Sequence, residues 1–218
     1  MIYNRNNFSI GSLCDGEKRY YLHGVHFTPE HTEVTNGHYL ARVTTPFSGK
    51  ALKEALNDLP KVEHYEPKNN GREEFTFPAK ECAEVERVIP KGGYSSVLNN
   101  AWITENTTEE EAEFVTYDLS ATKPIKARKI EGQWVNSDTI MPKNKPEMTL
   151  GFNPEYMLNI CKVFKKMKLK TIRLDLYGAK NAMRMIGRTE EGQDVTVLLM
   201  PMETDLKVPE ENKQGDKK

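Results

Sequence analysis

The clearest pattern of apolar and polar positions lies in the last third of the chain. From Tyr156, the apolar residues Ile160, Val163, Phe164 and Met167 fall on one helical face, and Asn159, Lys162, Lys165 and Lys166 fall on the other. Asn153 is a good N-cap and Pro154 suits the first helical position, so the spacing predicts a helix over 154–168 with a basic outer side. Strands are predicted at Met148 to Phe152 before it, and at Thr171 to Tyr177, Asn181 to Arg188 and Asp194 to Met200 after it, with Glu190-Glu191-Gly192 as a turn. A similar order appears earlier. Phe75-Thr76-Phe77 reads as a strand, and a helix runs from Pro78, in first helical position, to Ile89, burying Cys82, Val85, Val88 and Ile89. Strands follow at Ser95 to Asn99, Phe114 to Leu119 and Ile125 to Ile130. A strand–helix–strands unit is therefore predicted twice, near 75–130 and 148–202, as a repeat in pattern and not in letters.

The first third reads as an antiparallel meander. Arg19 to Phe27 is rich in strand formers, Pro29-Glu30-His31 supplies a turn, and Thr32 to Thr35 leads through Asn36-Gly37, a strong hairpin signal, into Tyr39 to Thr44. Gly49 to Leu59 is predicted as a short helix, and Gly132 through Pro142 as a connector. The fold class is α+β, with repeated strand–helix–strand units and antiparallel sheets. Beyond Leu206 the tail, 207–218, lacks a core-forming pattern and is expected to be disordered.

Composition narrows the field without naming a function. The 218 residues carry 31 Lys and Arg against 32 Asp and Glu, for a net charge of -1, so the surface as a whole does not advertise nucleic acid. The charge is segregated, however: Lys162 to Arg173 is basic, whereas Glu105 to Glu113 and Glu190 to Asp194 are acidic. The mean hydropathy is -0.69, and the longest apolar run, Val197 to Met202, is far too short to span a bilayer. Met1 to Ile10 has no apolar h-region, so neither a signal peptide nor a membrane partner is expected. Cys14, Cys82 and Cys161 form no disulfide framework and fit a reducing cytoplasm.

Catalytic signatures are absent. No Gly-rich phosphate loop, zinc-type cysteine spacing or nucleophile elbow occurs, so no catalytic residue, metal or cofactor is expected. His23, His26, His31 and His38 lie close in sequence, but an offset of three in a strand sends His23 and His26 to opposite faces. The acidic run at 109–111 reads as a solvated strand edge. The lysine face of the 154–168 helix fits equally a solubilising surface and contact with DNA phosphates.

The letters Arg19-Tyr20-Tyr21-Leu22-His23-Gly24 and Thr35-Asn36-Gly37-His38-Tyr39-Leu40-Ala41 resemble the middle domain of the bacterial DNA polymerase III β subunit, the sliding clamp, where the motifs read approximately RYYLNG and TDGHRLA. Gly151-Phe152-Asn153-Pro154-Glu155-Tyr156, ending in Leu198-Leu199-Met200-Pro201-Met202, is similar to the close of the clamp's last domain, and the Gly132 to Pro142 connector to its interdomain segment. The resemblance implies a DNA-clamp-like fold, with residues 1–142 like the middle domain, 46–74 a divergent insertion, and 143–206 like the last domain. It also implies an apolar pocket for short peptide motifs of polymerases and clamp loaders, formed by Thr35, Gly37, His38, Leu40, Val135, Ile140, Leu198, Met200, Pro201 and Met202.

Departures from the family pattern are expected to matter. Asn36, Tyr39 and Val135 replace the family's Asp, Arg and Pro, which makes the pocket rim less charged. Counterparts of the clamp's first domain, of the middle domain's opening strand and helix, and of the first half of the last domain are not recognised. The resemblance points to a replication processivity factor of the cytoplasm, not an enzyme. It would tether partner proteins to duplex DNA through Lys162, Lys165 and Lys166, in a homo-oligomeric ring with head-to-tail interfaces. The alternative is a peptide-binding adaptor or decoy that encircles nothing; the acidic helix residues Glu81, Glu84 and Glu86 favour it.

Overall fold

The computed structural model describes residues 2–14, 22–46, 74–92, 99–104, 107–116, 124–190 and 192–203. The expected 49–59 helix, most of the 46–74 insertion and the 207–218 tail lie outside them. The chain divides into two compact units, Met1–Met141 and Pro142–Lys218.

Unit 1 is built from two copies of one motif. The first is β1 (Ile2–Asn4), α1 (Arg5–Ser9), β2 (Gly24–Phe27), β3 (His31–Thr35) and β4 (Leu40–Thr44). The second is β5 (Phe75–Pro78), α2 (Ala79–Val88), β6 (Asn100–Ile103), β7 (Glu111–Thr116) and β8 (Ile125–Arg128). The copies exchange their leading strands. β1 joins the second copy's sheet, in the order β1-β6-β7-β8, and β5 joins the first copy's, in the order β4-β3-β2-β5. All pairings are antiparallel.

Between the sheets and helices lies an aromatic core of Tyr3, Phe8, Phe27, Phe75, Phe77 and Phe114, joined by Cys82 and Val85 from α2 and by Ile89 just after it. Tyr3 and Phe27 meet edge to face at 4.9 Å, a geometry the ring quadrupoles favour. Burying each such side chain contributes about 1.5–3 kcal/mol. The Tyr3 hydroxyl donates to Thr28 O at 2.8 Å, so its polar end is satisfied inside the core.

Unit 2 holds one further copy of the motif: α3 (Pro154–Lys166), β9 (Ile172–Asp175), β10 (Met183–Arg188) and β11 (Asp194–Leu199). Its sheet runs β11-β10-β9. Phe164, Met183, Met185 and Leu199 form the core, with Phe152, Met157, Ile160, Leu169, Val195 and Val197 packed around it. A Cβ on Gly187 would come within 2.6 Å of Leu169 Cδ1, so the absence of a side chain there admits Leu169 to the sheet.

Several expectations are corrected. An opening strand and helix do exist, as β1 and α1. They are too short for periodicity to show, but Asn4 caps α1 through its side chain, and the Asn7 side chain bonds back to the Asn4 N–H. Pro78 ends β5 and caps α2 instead of starting it. The Thr35↔Leu40 pairing leaves a four-residue loop in place of a two-residue Asn-Gly turn. The predicted strand Ser95 to Asn99 lies, apart from Asn99, outside the described residues, and β6 runs from Asn100 to Ile103. Met148 to Phe152 makes one isolated bridge among the described residues, Gly151↔Met202. The apolar stripe of α3 is only partly buried: Phe164 is enclosed, while Tyr156, Val163 and Met167 are exposed.

Candidate functional site

The connector after β8 is pinned to unit 1's outer face by a charged network. Glu33, on β3 and 2% exposed, accepts from Arg42 Nε at 3.1 Å and from Ser137 Oγ at 2.9 Å, with His31 Nε2 at 3.3 Å. Arg42 continues to the Ser137 hydroxyl and to Asp138 Oδ1, the latter at 2.7 Å. Burial would raise the Glu33 pKa, but hydrogen bonds from His31 and Ser137, with the His31 and Arg42 charges, outweigh it and hold the carboxyl at about 2.

Nearby, His26 stacks on Trp134 at 4.8 Å with the rings 7° apart. Burial pushes the His26 pKa down, against the opposing influence of Glu33 and Glu74. Between connector and sheet lies a cleft of about 800 Å³, lined by His26, His31, Glu33, Glu74, Lys129 and Trp134 among others. Of the ten predicted pocket residues, only Val135 lines it. Among the described residues, no cluster of three His, Cys, Asp or Glu is placed to hold a metal ion.

The other predicted residues of unit 1 sit at the β3–β4 hairpin tip and on the connector. The pairs Glu33↔Arg42 and Thr35↔Leu40 are two steps apart on one ladder, so Thr35 and Leu40 share the sheet face on which the connector is anchored. Val135 and Ile140 are exposed on the connector. Thr35 Oγ1 closes the hairpin tip, donating to Tyr39 O at 2.7 Å and accepting from Gly37 N at 3.1 Å. Gly37 has φ 86°, which a glycine adopts without strain, and His38 is exposed beside it. Tyr39, where the family motif has Arg, donates its hydroxyl to Leu13 O and ties the tip to the segment after α1.

In unit 2, β11 separates its residues by face. Leu199 enters the core at 6% exposure, whereas Leu198 and Met200 point away at 65% and 64%. Met202 continues that outward row, and Pro201 between them is half-buried. On α3, Lys162, Lys165 and Lys166 are exposed on the side away from the core. Among the described residues no acidic side chain pairs with them.

Solved structures with the same arrangement are found by comparing backbones. The β subunit of DNA polymerase from Streptococcus pyogenes superposes with a TM-score of 0.61 at 13% identity, covering 93% of this chain and 50% of that one. The β sliding clamp of C. crescentus gives 0.60 at 15% identity, with 92% and 50% covered. The DNA polymerase sliding clamp of Bacillus subtilis gives 0.59 at 12% identity, with 92% and 48% covered. The fold is that of bacterial sliding clamps. The sequence matches no protein-family model and no curated protein. The chain spans about half the length of the clamps it superposes on.

Within the clamp fold the motif occurs three times, and one feature of the repetition is visible in the letters. Tyr3, Phe77 and Phe152 each stand two residues before a helix, and each packs in its unit's core. That aromatic spacing could have located the opening unit from sequence. The Glu33–Arg42–Ser137–Asp138 network had no such signal, because its partners lie about a hundred residues apart in the chain. No described helix is long and apolar enough to cross a membrane.

Proposed function

We propose that this chain acts as a clamp-like processivity factor, holding short linear motifs of polymerase or clamp-loader proteins and tethering them to duplex DNA. The observation that carries this reading is the outward row of Leu198 on β11 and Met200 and Met202 just beyond it, apolar side chains that the unit 2 core does not use. Methionine adapts its shape to several related ligands, which suits a groove for short motifs. Pro201 lacks a backbone donor and suits the end of the strand. Unit 1 supplies Thr35, Gly37, His38, Leu40, Val135 and Ile140, on a hairpin tip and a connector fixed in place by the Glu33 network. A rigid support lowers the ordering cost of binding a peptide.

For DNA, Lys162, Lys165 and Lys166 present a basic helix face that meets phosphates without reading bases. Contacts this few are weak and salt-sensitive, so they matter only where ring closure by a homo-oligomer replaces affinity. No catalytic step is assigned, and the setting is cytoplasmic. A second reading, an adaptor without encirclement, is favoured by the acidic Glu81, Glu84 and Glu86 on α2. The test combines Lys162→Glu, Lys165→Glu and Lys166→Glu and measures retention on duplex DNA at low salt. The clamp reading expects retention by the wild type, its loss in the variant, and unchanged peptide binding. A wild type that is never retained leaves the adaptor reading in place.

A further inference from the structure

Unit 1 shows what a complete pair of motifs looks like, and unit 2 has half of it. In unit 1 the first strand after each helix is paired on both edges: β2 lies between β3 and β5, and β6 lies between β7 and β1. Every residue of β2 is buried, and so are three of the four in β6. The helices α1 and α2 pack against each other. Their counterpart in unit 2, β9, pairs only with β10 among the described residues. Ile172 and Leu174 share the face of Gly187 and Met185, the side on which the unit 2 core lies. Yet Ile172, Leu174 and the following Leu176 stay 40%, 51% and 47% exposed. Tyr156, Val163 and Met167 extend this uncovered surface along one flank of α3.

The leading segment behaves in the same way. Thr76 and Gly151 each stand three residues before their helix, and each carbonyl accepts from the N–H just beyond its motif's last strand: Ile130 N at 2.9 Å and Met202 N at 2.8 Å. β5 becomes a strand because β2 of the other motif pairs with it. Among the described residues Met148 to Phe152 has no such partner, and there it forms just the bridge.

We propose that unit 2 completes itself with unit 2 of a second copy, about a two-fold axis. Each copy's 148–152 segment adds to the free β9 edge of the other, α3 packs on α3, and Ile172, Leu174 and Leu176 enter a shared core. The occupant is a second copy because the missing parts are a leading strand, a free edge and an apolar helix flank, and each unit 2 offers all three. An unguarded apolar edge strand is otherwise an aggregation hazard, and an isologous contact closes at two copies. The proposal does not depend on the peptide and DNA reading: the contact closes at two copies and is therefore not the head-to-tail contact of the ring that the DNA reading requires.

The experiment is light scattering on the full chain after size exclusion, with hydrogen exchange read in parallel. The expected mass is twice 25.0 kDa, with slow exchange in β9. Leu174→Asp should raise the dissociation constant about 30-fold or more, as for a central interface residue. Thr149→Pro, outside the core, should weaken the dimer and release the β9 amides, with the tryptophan signal of unit 1 unchanged. Leu198→Asp, on the opposite sheet face, should keep the doubled mass, so loss of peptide binding and loss of the dimer are separable. A wild type that remains at 25.0 kDa at about 100 μM, far above the dissociation constants of specific contacts, overturns the proposal. So does a larger species insensitive to both Leu174→Asp and Thr149→Pro.

Discussion

Replacing Glu33 by Gln tests whether the buried network holds the connector to unit 1. The folded state holds this carboxyl at about 2, below its ordinary 4.5. Each pH unit of depression is worth about 1.4 kcal/mol, so the charged form contributes about 3 kcal/mol. The sign follows from the lowered pKa. The contribution is fully present above the unfolded value near 4.5 and is lost as pH falls toward 2, because the unfolded chain takes up the proton first. Glu33→Gln should therefore cost about 3 kcal/mol at pH 7, and its difference from wild type should close progressively below pH 4.5. Chemical denaturation followed by tryptophan fluorescence isolates the effect, since the chain's two tryptophans, Trp102 and Trp134, both lie in unit 1. His26, whose pKa burial lowers against the opposing charge of Glu33, loses stability below its ordinary 6.5 in both proteins and more so in the variant, so the closing of the difference is read from pH 4.5 downward. A difference that stays constant from pH 7 to pH 3 would refute the assignment of the charge to this network.

Two glycines should separate rigid from yielding surroundings. A Cβ on Gly24 would lie 2.6 Å from Phe77 O, a backbone atom, so Gly24→Ala should cost about 1–3 kcal/mol in unit 1's denaturation midpoint. At Gly187 the close neighbour is the end of the Leu169 side chain, so Gly187→Ala should cost less, as read by the thermal melt of unit 2. Tyr39→Phe removes the hydroxyl that donates to Leu13 O; a loss of about 0.5–1.5 kcal/mol and faster hydrogen exchange at residues 36–39 are expected.

The parts legible in the sequence were those whose cause is local. Helices α2 and α3 followed from apolar spacing and from Asn153 and Pro154, and the β3–β4 hairpin from strand formers around Asn36-Gly37. What sequence missed depends on distant partners. Met148 to Phe152 has a strand's letters but no described neighbour with which to form a ladder. Tyr156, Val163 and Met167 have a buried face's spacing, yet the described residues of unit 2 leave them largely uncovered. Glu33 occupies an outward position on β3 and is buried only because the connector returns across it through Ser137. For the candidate site, the resemblance supplied the residue choice. The structure adds that Leu198 and Met200 face outward while Leu199 fills the core.

The central claim, that this clamp-like chain receives short peptide motifs, is tested most directly by calorimetry with a peptide of the Gln-Leu-x-Leu-Phe type. The account predicts micromolar binding, roughly 8 kcal/mol, that disappears when Leu40→Ala and Met202→Ala are combined in a protein whose unfolding transition remains cooperative. A wild-type protein that gives no binding signal with this peptide, or a double variant that binds it as well as the wild type, would contradict it.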